Sequence, residues 1–410
     1  MGNNGDRPRV DRAGVCSCFV RTARLVSARA SRESTDLASK ISSTERLEGE
    51  FGASDTVDGE RRRGRGACSN HTGRFEAERR EAFDDGWEGL GDLDAFKTEV
   101  HDEPARTIIT RNDSPDISFD RSINPYRGCE HGCIYCYARP KHCFLGHSAG
   151  LDFETKLYAK PNAAALLEKE LAHPSYKPEV IAIGTNTDPY QPIERERRIM
   201  RSILEVLERT AHPVGIVTKS ALVLRDIDIL SRMAARGLAH VALSVTTLDR
   251  RIARVMEPRA ATPAKRIEAI RLLSQAGVPT TAMVAPIIPA ITDSEIETIL
   301  EAVREAGAVS AGYVLLRLPL EIKTLFREWL ASEFPDRAER VIHLLQSMHG
   351  GRDYVSDWGG RQRGSGPYAG QIGLRFRLAK KRLGFREDRE PLRTDLFVAP
   401  VLSGQQMRLF

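Results

Sequence analysis

The sequence predicts an α/β fold in which parallel strands and helices alternate to form a barrel or a partial barrel. From residue 122 onward, short apolar runs alternate with amphipathic segments of helical length. Continuous apolar strands separated by helices are typical of parallel βα units, because helices then cover the faces of the sheet. Polar side chains follow the predicted strands, at the end where such barrels carry their chemistry.

The βα unit recurs along the middle of the chain. Each helical segment has one apolar face, and several end at a glycine, as in D-I-D-I-L-S-R-M-A-A-R-G. The predicted strands cover 179–185, 213–219, 240–246, 279–287 and 311–318, and the helices between them cover 197–209, 226–237, 262–277 and 293–307.

The polar residues at the strand ends are candidates for a binding site. Asp188 or Thr247 taken alone is equally well explained as a helix cap. The repetition of polar ends over consecutive strands favours a site. The polar ends are Thr185, Asn186, Thr187 and Asp188 after the first strand, Thr218 and Lys219 after the second, and Ser244 to Thr247 after the third.

Composition divides the chain into five segments. Residues 1–60 lack periodicity and are rich in Arg, Ser, Asp and Gly, so we expect a disordered tail. Residues 61–118 form an N-terminal extension, 119–320 the barrel core, 321–400 a helical and basic region, and 401–410 a tail. Cys16 and Cys18 in the first segment are expected to be idle.

Size and charge limit the class of protein. The chain has 410 residues, a net charge of +5, no apolar run long enough to cross a bilayer and no secretory signal near its start. Its seven cysteines, four of them between 129 and 143, do not form a disulfide framework in a chain this long. We expect a cytoplasmic protein without a membrane partner.

Three cysteines in R-G-C-E-H-G-C-I-Y-C-Y carry the strongest chemical signal. Cys129, Cys133 and Cys136 have the spacing C-x3-C-x2-C, and Gly128 and Gly132 permit the positive φ angles that a tightly curled loop needs. Clustered thiolates select zinc or an iron–sulfur cluster. A structural zinc ion would need a fourth ligand, for which the sequence offers His131, His142 and Cys143.

This spacing, with Tyr135 just before the third cysteine, resembles the cluster loop of the radical S-adenosylmethionine (SAM) superfamily. The resemblance implies an open (β/α)6 barrel in which the three cysteines hold a [4Fe–4S] cluster and the fourth iron binds SAM. One electron, from a donor such as flavodoxin or ferredoxin, then cleaves SAM and produces a 5′-deoxyadenosyl radical that abstracts hydrogen from a substrate.

Further strings resemble a bacterial group similar to spore photoproduct lyase and labelled as DNA repair photolyase. They include S-I-N-P-Y-R-G-C, G-T-N-T-D-P-Y-Q-P-I-E-R-E, T-K-S-A-L-V-L-R-D, S-V-T-T-L-D and M-E-P-R-A-A-T-P-A-K-R-I-E-A. The resemblance implies catalytic roles for Tyr135 and Tyr137, and cofactor contacts for Tyr135, Lys219 and Ser244. Thr187, at a strand end, is a further candidate for binding the cofactor. Glu257 and Arg266 are expected to organise the fold.

One departure from the lyase concerns hydrogen return. The lyase has a hydrogen-donating cysteine after the strand that corresponds to 180–185, whereas this chain has G-T-N-T-D there. Cys143 is a candidate substitute donor, although a buried bystander is the simpler interpretation.

The C-terminal region suggests nucleic acid and a protein partner. Residues 361–395 contain ten Arg or Lys against four Asp or Glu, which suits either a phosphate backbone or a solvated helix face. The last residues resemble the Q-x-x-L-F peptide that docks on the bacterial sliding clamp. The clamp candidates are Gln406, Met407, Leu409 and Phe410.

The sequence therefore predicts a radical SAM enzyme that takes hydrogen from nucleic acid, as in DNA repair. Two alternatives stay open. One is a non-catalytic iron–sulfur or zinc protein that binds nucleic acid or the clamp. The other is a radical SAM enzyme acting on RNA, protein or a small metabolite.

Overall fold

The computed structural model describes residues 56–78, 94–387 and 390–402. These residues belong to one compact unit. Most of the predicted N-terminal tail, with Cys16 and Cys18, lies outside the described residues. The four clamp candidates at the C-terminus lie outside them too.

A parallel sheet forms the centre of the described part of the chain. It contains seven strands in the order β10-β9-β8-β7-β6-β3-β2. The strands of the described chain are β1 (Glu99–Asp102), β2 (Ile109–Arg111), β3 (Arg121–Ile123), β4 (Tyr126–Arg127), β5 (Lys156–Ala159), β6 (Ile181–Ile183), β7 (Val214–Thr218), β8 (Ala239–Ser244), β9 (Thr280–Ile287) and β10 (Ser310–Leu315).

Six strands of this sheet, β3 and β6 to β10, run parallel, and β2 pairs antiparallel with β3 at one edge. Within the described residues β10 and β2 end the sheet and do not pair with each other, so the barrel is open. The prediction of a partial TIM-type barrel with six parallel strands is confirmed. The five strands predicted from periodicity correspond to β6 to β10, shorter by up to four residues.

Helices follow the strands and cover the sheet. Ile199, Ile203 and Leu207 lie on one face of their helix and are completely buried or nearly so, as the amphipathic pattern predicts. The helices are α1 (Leu151–Thr155), α2 (Ala163–Leu171), α3 (Glu194–Arg197), α4 (Ile199–Arg209), α5 (Ile227–Ala235), α6 (Arg250–Met256), α7 (Pro263–Gln275), α8 (Ile296–Glu305), α9 (Ile322–Glu333), α10 (Ala338–Ser347) and α11 (Gly366–Arg382). Short 3-10 helices cover Arg139–Leu145, Ala221–Asp226, Asp293–Glu295 and Pro335–Arg337.

A second, three-stranded sheet positions the segment that carries the cysteines. Its order is β1-β5-β4, with β4 antiparallel to β5. The chain leaves β3, forms β4, and then passes through the cysteine loop, the 3-10 helix at Arg139–Leu145 and α1 before it returns as β5. The loop is therefore tethered at both ends, next to the carboxyl end of β3.

No helix in the described part of the chain combines the length and the apolar composition that crossing a bilayer requires.

Candidate functional site around the cysteine loop

The cysteine loop curls as the two glycines predict. Gly128 has a φ of 73° and Gly132 a φ of 66°. A Cβ atom at Gly132 would lie 2.7 Å from Oε2 of Glu154, so no larger residue fits there without displacing a buried carboxylate. Cys129 and Cys133 are buried, with 6% and 8% of their surface exposed.

The three thiols influence each other electrostatically, which places them in one region. Burial raises the pKa of Cys129 well above its usual value, and nearby Asp188, Cys133 and Cys136 raise it further. Burial also raises the pKa of Cys133 to about 12, helped by Glu257 and opposed by Lys219. Thiols in this environment become thiolates only when a bound cation supplies compensating charge.

Among the described residues, no three or more His, Cys, Asp or Glu side chains are grouped closely enough to hold a single metal ion.

A buried ion pair holds the loop from behind. Nη2 of Arg139 lies 2.5 Å from Oε1 of Glu154, and neither side chain is exposed. The same guanidinium donates to the carbonyl oxygens of Gly132 and Cys133 at 3.1 and 2.9 Å, and to those of Ala149 and Gly150. Its hydrogen bonds are thus used to fix the backbone around the second cysteine.

The N-terminal extension also contacts the loop. The backbone amides of Gly66 and Ala67 both donate to the Glu154 carboxylate, at 2.9 Å. A Cβ atom at position 66 would lie 1.9 Å from the carbonyl oxygen of Gly132. Only glycine therefore permits this approach, which the sequence analysis did not identify.

Gln191 fixes the backbone on both sides of Cys129. Its Oε1 accepts from the amide of Glu130 at 2.9 Å, and its Nε2 donates to the carbonyl of Gly128 at 3.2 Å. The side chain is completely buried. The string D-P-Y-Q-P-I contains this residue, but nothing in its local pattern distinguishes it from a loop residue.

Asp188, at the carboxyl end of β6, connects the cysteine loop to β7. Its carboxylate accepts from the hydroxyl of Thr218 and the backbone amide of Lys219, both at 2.7 Å, and lies 3.3 Å from Nδ1 of His131. Burial favours the neutral acid, but these three partners outweigh it and lower the pKa of Asp188 to about 2. The aspartate is therefore a fixed anion that positions its neighbours, in addition to any capping role.

Tyr135 and Glu257 belong to a buried polar network beneath the loop. The Tyr135 hydroxyl donates to the Glu257 carboxylate, which also accepts from Thr246 at 3.0 Å and from Arg266. Arg266 donates to the carbonyl of Ser244 as well. The expectation that Glu257 and Arg266 organise the fold agrees with these contacts.

Lys219 directs its ammonium group towards this network without a polar partner. Its Nζ lies 5.6 Å from the centroid of the Tyr135 ring. Within the described residues, the ammonium has no hydrogen bond or ion pair, although the residue is only partly exposed. A cation of this kind can bind a carboxylate or a phosphate.

Ser244 and Thr187 lie in the same region with different surroundings. Ser244 is buried at the carboxyl end of β8, and its hydroxyl forms no hydrogen bond with the described residues. Thr187 is buried too, but its hydroxyl donates to the carbonyl of Tyr126 at 2.8 Å. Thr187 therefore has a structural contact already, and its cofactor contact stays a prediction.

Tyr137 differs from Tyr135 in exposure. It is 44% exposed, whereas Tyr135 is 7% exposed. Its hydroxyl donates to the carbonyl of Thr185 at the end of β6, and Cζ of Arg317 lies 4.8 Å from its ring centroid. Of the two tyrosines, it is the one that a substrate can reach.

The candidate fourth zinc ligands have different surroundings. His131 pairs with Asp188, and burial and His147 lower the pKa of His142 to about 4. Burial raises the pKa of Cys143, and its charged neighbours are Arg74 and Glu321. Cys143 is completely buried, and its role as a substitute hydrogen donor or as a bystander stays a prediction.

These residues fit a [4Fe–4S] cluster with SAM. Cys129, Cys133 and Cys136 supply three thiols on one rigid loop. Lys219 and Ser244 supply polar groups without partners in the described chain, and Tyr137 provides an accessible phenol beside them.

Comparison with protein families and relatives agrees with this arrangement. The model of the radical SAM superfamily matches residues 123–303. An uncharacterized protein of Mycobacterium tuberculosis (strain ATCC 25618 / H37Rv) is 36% identical over 232 residues, which is 56% of this chain and 68% of the relative. An uncharacterized protein of Methanocaldococcus jannaschii is 28% identical over 219 residues, 53% of this chain and 78% of the relative.

Among solved structures, spore photoproduct lyase complexed with dinucleoside spore photoproduct is similar in fold. The TM-score is 0.51 at 16% identity, over 69% of this chain and 79% of the lyase. At this identity the similarity concerns the fold alone.

Proposed function

The chain belongs to the radical SAM superfamily, and from this membership we propose an enzyme that cleaves SAM at a [4Fe–4S] cluster and takes hydrogen from a nucleic acid. The single observation that carries the proposal is the loop with three thiols, of which Cys129 and Cys133 are buried and Cys136 is half-buried, beside the carboxyl ends of β3 and β6. Parallel barrels place their reactive groups at this end.

The loop residues would hold the cluster through Cys129, Cys133 and Cys136. When bound, the cluster and SAM supply one-electron cleavage of SAM and a 5′-deoxyadenosyl radical. The residues of the chain would contribute to this chemistry by keeping the site rigid and by excluding water from it. The Arg139–Glu154 pair and Gln191 keep the loop backbone in place, and burial shields the thiols of Cys129 and Cys133 from solvent.

Lys219 would bind the carboxylate of SAM, because its ammonium has no polar partner in the described chain and lies against Tyr135. Ser244 would contribute its free hydroxyl nearby. Tyr135 itself donates to Glu257 and is buried. We therefore assign Tyr135 to positioning Lys219 and the loop, rather than to a radical relay.

Tyr137 is our candidate for returning a hydrogen atom to the product. The described thiols outside the loop, Cys68 and Cys143, are almost completely buried. The segment after β6, which carries Thr185 and Asn186, has no sulfur. Tyr137, an exposed phenol held by Thr185 and Arg317, is a hydrogen donor at this end of the barrel.

The nucleic-acid substrate rests on charge and on the fold similarity. The solved lyase structure is complexed with a dinucleoside photoproduct, and the C-terminal region of this chain is strongly basic. The missing thiol argues against the same net reaction, so we propose a different modified or damaged nucleotide as the target.

The test is the formation of 5′-deoxyadenosine by anaerobically reconstituted protein with dithionite and SAM, with and without Cys133→Ala. Production that depends on Cys133 is expected. Protein with an intact [4Fe–4S] cluster that yields no 5′-deoxyadenosine, alone or with oligonucleotides, would favour the non-catalytic binding protein. SAM cleavage stimulated by a peptide or metabolite and not by nucleic acid would favour the other substrate classes.

Partners and compartment remain proposals of the same kind. A cluster that is sensitive to oxygen suits the reducing cytoplasm, with a flavodoxin or ferredoxin as the electron donor. Docking on a sliding clamp through Gln406, Met407, Leu409 and Phe410 is tested by deleting 406–410, which should abolish clamp binding in solution.

A further inference from the structure

A cavity of about 630 Å³ lies outside the cysteine site, between β10, the loop at 363–366 and α11. β10 is the strand at the open edge of the barrel. The cavity is lined by Arg363, Arg377, Lys380 and Lys381, with Glu387 as the one acidic residue among the described residues that line it. Its charge therefore favours an anion.

Three cations of this cavity are available to a ligand. Arg363, Arg377 and Lys381 are exposed and form no ion pair with the described residues. By contrast, Arg375 and Arg382 on the same helix pair with Glu297 and Glu301. Arg377 and Lys381 are thus cavity-lining cations of α11 that have no carboxylate partner among the described residues.

Three glycines would let a ligand approach the backbone of α11. Gly366, Gly370 and Gly373 all line the cavity. They are spaced four and three residues apart, which puts them on one face of the helix. A Cβ atom at Gly370 would meet nothing within 4 Å, so the space over the middle glycine is open, whereas a Cβ atom at Gly373 would lie 2.9 Å from the hydroxyl of Tyr313.

A row of arginines stacked on aromatic rings leads from the cavity to Tyr137. Cζ of Arg363 lies 4.0 Å from the ring centroid of Tyr313. The backbone amide of Leu315 donates to the carbonyl of Gln362, which joins the segment that carries Arg363 to β10. The adjacent Arg361 lies 4.2 Å from the ring centroid of Trp358, which is 57% exposed.

The row ends at the candidate active site. Arg317 stacks on Tyr137, and Arg317 and Arg361 both act on the carboxylate of Asp116. Asp116 accepts a hydrogen bond from Arg361 and neutralises part of that charge. We name Arg317, Arg361, Arg363, Arg377 and Lys381 the arginine tract.

We propose that the arginine tract binds the phosphodiester backbone of a single-stranded nucleic acid and leads the strand to Tyr137. Cations that follow a backbone, interleaved with exposed aromatic rings on which bases stack, are typical of surfaces that bind single strands. A duplex offers no unstacked base to Trp358 or Tyr137. This inference rests on the proposed function, because the path of the strand is argued from the cysteine site as the place where its reactive nucleotide binds.

The test measures binding of fluorescently labelled 20-nucleotide oligothymidylate by anisotropy over a range of salt concentrations. In Arg377→Ala/Lys381→Ala we expect affinity to fall about tenfold. The slope of log K against log salt should become shallower by about 1.4, because each phosphate contact on a single strand contributes about 0.7. The matched control is Arg382→Ala, on the same helix but paired with Glu301, and it should bind like the parent.

A second variant tests the cavity without removing a cation. Gly370→Glu places a carboxylate over the open face of α11 and should weaken binding, while Gly370→Ala should not. Neither is expected to unfold the helix, since glycine is the poorer helix former by about 1 kcal/mol. Equal binding by the parent, the double variant and Gly370→Glu would overturn the proposal, as would a preference for duplex over single strand.

The binding assay separates this inference from the proposed function. Formation of 5′-deoxyadenosine with no oligonucleotide binding would support the proposed radical chemistry and contradict the role given to the arginine tract. Binding through the tract, with no transfer of hydrogen from any oligonucleotide, would keep the tract and remove nucleic acid as the substrate.

Discussion

Arg139 and Glu154 form an ion pair with no solvent exposure on either side, directly behind the cysteine loop. The pair joins the first residue of a 3-10 helix to a residue of α1, and both side chains also bind backbone groups of the loop or of the N-terminal extension. A buried ion pair without such additional partners would add little to the stability of the fold, because the cost of desolvating the two charges offsets their attraction.

Glu154→Gln should destabilise the protein by about 3 kcal/mol, because it leaves the Arg139 guanidinium buried without a counter-charge. Urea denaturation followed by tryptophan fluorescence measures the change in the free energy of unfolding. Glu168→Gln, which breaks an exposed pair with Arg209, should cost less than about 1 kcal/mol. Equal effects of the two substitutions would contradict the role given to the buried pair.

Gly66→Ala should displace the cysteine loop, because the new methyl group would meet the carbonyl oxygen of Gly132 at 1.9 Å. Backbone atoms stand on both sides, so no rotamer relieves the clash, and we expect a loss of about 1–3 kcal/mol or more. Iron bound after anaerobic reconstitution should fall as well. Gly59→Ala is the matched control, since nothing lies within 4 Å of a Cβ atom there.

If Gly66→Ala bound as much iron as Gly59→Ala, the cysteine loop would not need the close contact between Gly66 and the Gly132 carbonyl.

The sequence predicts those parts of the site whose residues lie close together in the chain. The spacing of Cys129, Cys133 and Cys136 and the turns at Gly128 and Gly132 are properties of one loop, so the sequence was enough. The strands β6 to β10 were predicted because each carries a continuous apolar run followed by an amphipathic helix.

The supporting contacts could not be predicted because they join distant parts of the chain. Glu154 meets Gly66 across 88 residues, and Gln191 meets Glu130 across 61. Both are polar residues in segments whose local pattern allows exposure as easily as burial. β3 was missed for another reason, since its residues Arg121, Ser122 and Ile123 contain no continuous apolar run of the kind that revealed β6.

Lys219→Met should weaken the binding of SAM about tenfold, because it removes the unpaired ammonium proposed to bind the carboxylate while keeping an unbranched apolar side chain. Equilibrium dialysis of labelled SAM against the anaerobically reconstituted protein measures this directly. Lys265→Met, at an exposed position of α7, should leave binding unchanged. Unchanged SAM affinity in Lys219→Met would remove the residue from the cofactor site.

His212 makes stability depend on pH far from the cysteine loop. The carbonyl of Pro213 can only accept, so Nδ1 carries the hydrogen at 3.0 Å, and Nε2 accepts from the Tyr176 hydroxyl at 2.8 Å. Burial, together with Arg121, whose guanidinium lies over the Tyr176 ring, lowers the pKa of His212 from 6.5 to about 4 against the opposing effect of the hydrogen bond to Pro213. The folded protein therefore keeps this imidazole neutral.

As the pH falls below 6.5, the unfolded chain binds a proton at this histidine while the folded chain does not until about pH 4. Stability is lost across this window, by about 2 kcal/mol at pH 5 relative to pH 7.5 from this residue alone. In His212→Gln that part of the pH dependence should disappear from urea denaturation curves, whereas the exposed His173→Gln should retain it. Because carboxylates also protonate near pH 4, the difference between the two variants isolates the imidazole, and identical pH profiles would mean that His212 titrates normally in the fold.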